Sequence, residues 1–150
     1  MHILMCNDDG ILADGLRHLA SYLSQYYRIT VVAPANEQSA KSHALTTEIP
    51  LKLDAYNGED ENPRLYALTG TPSDCMKFGL SYLLTDDMPD LVISGINHGF
   101  NLGSDVLYSG TVSAAMESCF YGIPGLALSV ERYSPCLLYT SPSPRDVEES

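Results

Sequence analysis

Leu91-Val92-Ile93 reads as a buried strand and Thr111-Val112-Ser113-Ala114-Ala115-Met116-Glu117-Ser118-Cys119-Phe120 as a helix, and the connection between them constrains this chain most. It runs from Ser94 to Gly110 and carries Gly95, Gly99, Gly103 and Gly110 among Asn, Asp, Ser and Thr side chains. Strand-to-helix connections in α/β units are usually about 2–6 residues, and much longer ones tend to be functional or disordered. This one lacks the charge runs that mark disorder, and its glycines let a backbone come close to a ligand. A strand feeding a helix through such a loop belongs to a layered α/β fold and points to a ligand at the loop.

The loop chemistry points to an anion. At Ser109-Gly110-Thr111 the helix begins, so its first amides lack intrahelical partners and the helix dipole favours negative charge. Asn97 and Asn101 offer amide oxygens and nitrogens suited to a metal or a phosphate oxygen. A plain helix cap at Ser109 or Thr111 is the competing reading. A second motif, Asn7-Asp8-Asp9-Gly10, follows the apolar run His2-Ile3-Leu4-Met5-Cys6. Open α/β sheets bind ligands at the carboxyl ends of their strands. Adjacent carboxylates repel unless a cation sits by them, and such hard oxygens suit Mg²⁺ or Mn²⁺. Asp-Gly alone is a common turn, but an anion loop at the same edge supplies what a cation would bridge.

These two motifs, with Pro34-Ala35-Asn36-Glu37-Gln38-Ser39 and Thr69-Gly70-Thr71-Pro72-Ser73-Asp74-Cys75, occur in an order that resembles the SurE family, or survival protein E. The resemblance runs from residue 1 to about 133 and implies a Rossmann-like core with metal-dependent hydrolysis of nucleoside 5′-monophosphates. It implies Asp8, Asp9, Ser39 and Asn97 as ligands of one divalent cation, Mn²⁺ or Mg²⁺. Ser109, Gly110 and Thr111 would hold the phosphate, with Asn101 nearby. Asp8 or Asp9 would take the proton from an attacking water that the cation activates. Family members often carry glycine after the serine of the third motif; here Ala40 and Lys41 follow Ser39, with Gln38 and Ser42 beside it. Full-length members associate as homo-oligomers, and the Thr-Gly-Thr-Pro segment lies near their site. His98 reads as a surface or hydrogen-bonding residue rather than a base.

Other functions remain open on the residues alone. An Asp at the end of a first strand suits a haloacid-dehalogenase-like phosphatase that passes through an aspartyl-phosphate, although that arrangement separates its acids by one residue. A non-catalytic nucleotide sensor would use the same phosphate loop, but it needs no paired carboxylates. The net charge of −11 argues against binding a nucleic-acid polymer. Mononucleotides remain compatible, because a cation supplies positive charge locally. No apolar run approaches the roughly 20 residues of a membrane span, and no signal peptide is visible. Cys6, Cys75, Cys119 and Cys136 show no Cys-x-x-Cys spacing and read as reduced, mostly buried thiols of a cytoplasmic protein.

Along the chain, strands and helices alternate, which predicts a mainly parallel sheet with helices on both faces. Strands are expected at His2 to Cys6, Arg28 to Ala33, Asp90 to Ser94 and Gly125 to Val130. Leu51 to Leu53 is expected to pair with Leu65 to Leu68 around a solvated acidic tip at Glu59, Asp60 and Glu61. A first helix carries Ala13, Leu16, Leu19, Ala20 and Leu23 on one stripe through Tyr26. Thr71-Pro72-Ser73-Asp74 opens a second helix with a capping hydroxyl, proline in the first turn and an acid behind it, running through Leu84. The last helix is expected to bury Val112, Ala115, Met116, Cys119 and Phe120.

Residues 1–133 are thus expected to form the core of the family fold, incomplete because the family continues past this point. Residues 134–150 carry Pro135, Pro142 and Pro144, which preclude a long regular element. They read as a non-native tail of adapter sequence. Truncation there predicts an exposed sheet edge and an apolar patch.

Overall fold

A computed structural model describes residues 1–37, 50–99 and 103–130. One sheet of six strands organises them, in the order β3-β4-β2-β1-β5-β6. The strands are β1 (His2–Cys6), β2 (Arg28–Pro34), β3 (Leu53–Ala55), β4 (Arg64–Leu68), β5 (Leu91–His98) and β6 (Gly125–Val130). The helices are α1 (Asp14–Leu23), α2 (Pro72–Phe78) and α3 (Gly110–Phe120). All pairings are parallel except β3 with β4, where Leu53 faces Leu68 and Ala55 faces Tyr66. The α/β class, the parallel sheet and the pairing of the two short runs around 53 and 66 are as the sequence predicts.

Period-two alternation explains why both faces are covered. In β1 every residue is buried, with Leu4 and Cys6 packing toward α2 and α3, and Ile3 and Met5 toward α1. A central strand buried on both sides has no polar face to show, so it reads as a continuous apolar run. Leu16 and Ala20 of α1 complete one core; Cys75 and Met76 of α2 and Ala114 of α3 complete the other. Each fully buried Leu, Ile or Met side chain contributes roughly 1.5–3 kcal/mol.

Besides α1, which ends at Leu23 rather than Tyr26, the helices and β5 depart from expectation in three places. α2 begins as the sequence predicts, with Thr71 and Asp74 exchanging hydrogen bonds of 2.9 and 3.1 Å in a capping box. It ends at Phe78, and a π turn takes over across Gly79–Leu83, where the Leu84 amide reaches back to the Gly79 carbonyl. β5 does not stop at Ser94. It continues to His98 through a register slip between Ser94 and Asn97, after which Asn97 pairs with Ser129 and His98 with Val130. Gly95 makes this possible: its φ is +134°, and a Cβ there would stand 2.3 Å from the Leu128 carbonyl oxygen. The long connection read from sequence is therefore partly strand, and Gly103–Tyr108 adds a 3₁₀ helix within it.

The third departure is α3. Its buried face is Gly110, Thr111, Ser113, Ala114, Ala115, Glu117 and Ser118, while Met116 and Phe120 are 53% and 77% exposed and Cys119 is exposed too. Of the five residues expected to be buried, only Ala115 is fully so and Val112 partly. The cause is close approach. A Cβ on Gly125 would lie 2.2 Å from the Ala115 carbonyl oxygen and 2.6 Å from Ser118 Oγ, so the helix backbone rides directly on the start of β6. Apart from Glu117, the side chains beneath it are small, and Met116, Cys119 and Phe120 project outward. Leu126 of β6, one of the two edge strands of the described sheet, is also exposed among the described residues. Among the described residues no helix is long and apolar enough to cross a membrane. Cys6 and Cys75 are buried free thiols as expected; Cys136 and residues 134–150 lie outside the described residues.

Candidate active site

The chain steps outward from β1 through β2 to β4, then returns to lay β5 and β6 on the other side of β1. That reversal makes the carboxyl ends of β1 and β5 the switch point at which open α/β sheets hold ligands. Asn7-Asp8-Asp9-Gly10 leaves β1 at this point, and Asn97 stands near the end of β5.

The turn after β1 is held from within. Asn7 is fully buried; its amide nitrogen donates to the Gly10 carbonyl (3.0 Å) and its oxygen accepts from the Gly10 amide (3.1 Å). Sequence reasoning passed over Asn7, although an Asn that brackets a glycine three residues on is an Asx-type turn signal. Gly10 has φ +102°, and a Cβ there would press on the Pro34 carbonyl at 3.3 Å, while the Ile11 amide donates to that same carbonyl. The segment leaving β2 therefore lies directly against the acidic turn. Ser39, Gln38 and Ser42, further along that segment, lie outside the described residues, as does Asn101.

Two loops distant in sequence meet at Asp8. Its Oδ1 accepts the Thr111 hydroxyl at 2.8 Å, both residues being buried. A Cβ on Gly110 would stand 2.9 Å from Asp8 Cβ and 3.1 Å from Pro72 Cγ, so glycine is what admits the carboxylate there. The same contact sets Pro72, in the first turn of α2, against Gly110. Ser109 caps α3, its Oγ accepting from the Val112 amide at 3.3 Å, and the helix starts at Gly110.

Asp9 is the electrostatically loaded member of the pair. Burial, then the neighbouring Asp8 charge, push its carboxyl above the usual carboxylate range, with Glu37 adding to this. His98 opposes them, through its own charge and through a backbone hydrogen bond to Asp9. His98 thus acts on Asp9 while its own ring is exposed. Asp9 Oδ2 is buried and has no hydrogen-bond partner among the described residues. A buried carboxylate oxygen without a donor, beside a second carboxylate, is the chemistry a divalent cation relieves. Asn97 gives its amide nitrogen to the Gly99 carbonyl (2.9 Å), so its oxygen is the atom suited to a cation. Among the described residues no three His, Cys, Asp or Glu side chains converge. The donor set Asp8, Asp9 and Asn97 has only two of that kind, and it fits a hard cation.

A surface hollow of about 620 Å³ lies at the opposite, amino edge of the sheet, between His2, Arg28, Asn62, Asp87 and Tyr27. Its polar groups are engaged with one another. The His2 ring is hydrogen-bonded to Thr30 Oγ1 (2.9 Å) and the Asp87 carbonyl (3.2 Å), and Arg28 pairs with Asp87. Volume alone does not make it the site.

A doubly wound α/β domain with acidic and anion-loop motifs at its switch point is the class these observations define. The family model described as "Survival protein SurE" matches residues 3–148, and the chain belongs to that family. It is 54% identical over 129 residues to the 5′-nucleotidase SurE of Thermoanaerobacter sp. (strain X514), an alignment covering 86% of this chain and 50% of that one. The 5′-nucleotidase SurE of Vibrio vulnificus (strain YJ016) is 50% identical over 130 residues, covering 87% and 49%. The crystal structure of the SurE protein from Aquifex aeolicus superposes with a TM-score of 0.76 at 43% identity, over 86% of this chain and 50% of that chain. The chain spans about half the length of the relatives it matches.

Proposed function

We propose that this chain carries the metal-dependent phosphomonoesterase site of a 5′-nucleotidase acting on nucleoside 5′-monophosphates. The observation that carries the reading is the junction at Asp8, where the acidic turn after β1 and the first turn of α3 are joined by a 2.8 Å hydrogen bond at the switch point. Membership in a family whose relatives are named 5′-nucleotidase supports it.

In this reading Asp8, Asp9, Ser39 and Asn97 hold one Mn²⁺ or Mg²⁺. When bound, the cation neutralises phosphate charge and makes a nearby water more acidic. The chain does the rest. Gly110 and Thr111 present first-turn amides to the phosphoryl oxygens, Ser109 sets the start of that turn, and Asn101 is assigned to phosphate binding by the family resemblance alone. One carboxylate of the Asp8–Asp9 pair takes the proton from the attacking water.

The test is phosphate release from AMP and GMP by the purified chain with Mn²⁺ or Mg²⁺ and with EDTA, beside Asp8→Asn. Release that needs metal and falls by at least about 10³-fold in the variant is expected. Binding of AMP by a folded chain with no release under any metal favours the sensor reading instead.

A further inference from the structure

We infer that Thr111 is a positioning residue for the cation site rather than a phosphate ligand through its side chain. The inference rests on the metal-site reading above and reassigns one hydroxyl within it. Thr111 is 0% exposed, and its Oγ1 donates its single proton to Asp8 Oδ1 at 2.8 Å. A hydroxyl has one proton to give, so a phosphate oxygen could take it only by breaking the bond to Asp8. The bond fixes the carboxylate's rotation and leaves Oδ2 and the second lone pair of Oδ1 for a cation.

The surroundings restrict Asp8 further. A Cβ on Gly110 would meet Asp8 Cβ at 2.9 Å and Pro72 Cγ at 3.1 Å, so only glycine lets the start of α3 sit this close to the carboxylate. The first turn of α3 is therefore built around Asp8, with its backbone available to an anion and its threonine side chain committed to the carboxylate. Outer-shell partners of metal ligands act in this way, and their loss typically weakens metal binding about 10–100-fold. Cation and phosphate affinity separate as a result: the Thr111 side chain governs the first and its backbone the second.

Thr111→Val keeps the shape and removes the donor, while Thr111→Ser keeps the donor. Three quantities are measured on the whole chain: the Kd for Mn²⁺ by electron paramagnetic resonance of the free ion, the affinity for inorganic phosphate at saturating Mn²⁺, and the thermal midpoint in EDTA. Thr111→Val is expected to weaken Mn²⁺ binding about 10-fold or more and to leave phosphate affinity within about twofold. Thr111→Ser is expected to restore most of the Mn²⁺ affinity, including where Val lowers the thermal midpoint. Unchanged Mn²⁺ affinity in the valine variant, weaker phosphate binding at saturating metal, or failure of serine to rescue would each overturn the assignment. A wild-type chain that binds no Mn²⁺ would sink the metal reading itself, a result distinct from those three.

Discussion

The two edges of the sheet solve opposite problems. At the amino edge the polar groups are closed upon one another: the His2 amide donates to Asp90 at 2.7 Å, and the His2 ring bonds Thr30 and Asp87. Asn62 accepts from the Ile29 amide and donates to the Ser24 and Tyr27 carbonyls. At the carboxyl edge, polar atoms are buried and left open. Asp9 Oδ2, Ser73 Oγ and Ser94 Oγ, the buried side-chain oxygens without a partner among the described residues, belong to the turn after β1, the first turn of α2 and the β5 residue level with Cys6. The hollow beside His2 and Arg28 lies at the satisfied edge and the unsatisfied oxygens at the other. Unmet hydrogen-bonding capacity, rather than volume, is what marks the carboxyl edge as the candidate site.

The largest effect expected from breaking this contrast is at Gly95. Alanine there meets the Leu128 carbonyl and must adopt φ +134°. Gly95→Ala is expected to destabilise by about 3 kcal/mol or more. The urea midpoint is the measurement; a change within experimental error would mean that β5 does not bend there as described. At the amino edge, Asn62→Ala removes the bonds to Ile29, Ser24 and Tyr27. A loss of about 2 kcal/mol is expected, with phosphate release per folded molecule unchanged. A fall in turnover without a fall in stability would contradict the division between the two edges.

At the carboxyl edge the sign reverses. Asp9→Asn removes a buried charge that Asp8 and Glu37 oppose. It is expected to stabilise the metal-free chain by about 1 kcal/mol in EDTA and to abolish the rise in melting temperature caused by Mn²⁺. Destabilisation in EDTA would show that Asp9 is held for the fold.

The smallest effect is a pH dependence from His2. Burial, and then the Arg28 charge, lower its pKa, while Asp87 partly offsets them. The folded state therefore favours the neutral ring and the unfolded chain takes up the proton more readily. This contribution to stability is present above the ordinary histidine value of about 6.5 and is lost as pH falls from there through the lowered folded value. Melting temperatures between pH 7.5 and 5 should fall for the wild type more steeply than for His2→Gln, and parallel slopes would remove His2 as the cause.

Local patterns were legible wherever one segment carried its own reason. The fully buried β1, the capping box at Thr71 and Asp74, and the acidic turn after β1 needed no partner to be recognised, because strand period, helix caps and turn residues are short-range chemistry. Of Val112, Ala115, Met116, Cys119 and Phe120, expected as the buried stripe of α3, the last three face outward instead. Periodicity reveals a face and not what lies against it. The continuation of β5 was missed because glycine in a strand reads as a break until a β6 carbonyl stands where its Cβ would be. Of the site, Asp8, Asp9 and the start of α3 were legible as motifs, and Asn7 was not singled out.

By itself the sequence determined the elements, their alternation and the residue types fit for a cation and a phosphate. Only the tertiary structure decided that Thr111 gives its hydroxyl to Asp8 and that Asp9 Oδ2 is buried with no partner among the described residues. Those facts depend on which atoms from segments a hundred residues apart come within hydrogen-bond reach. Hydrogen bonds act over a few ångströms in space, whereas a motif records only separation along the chain.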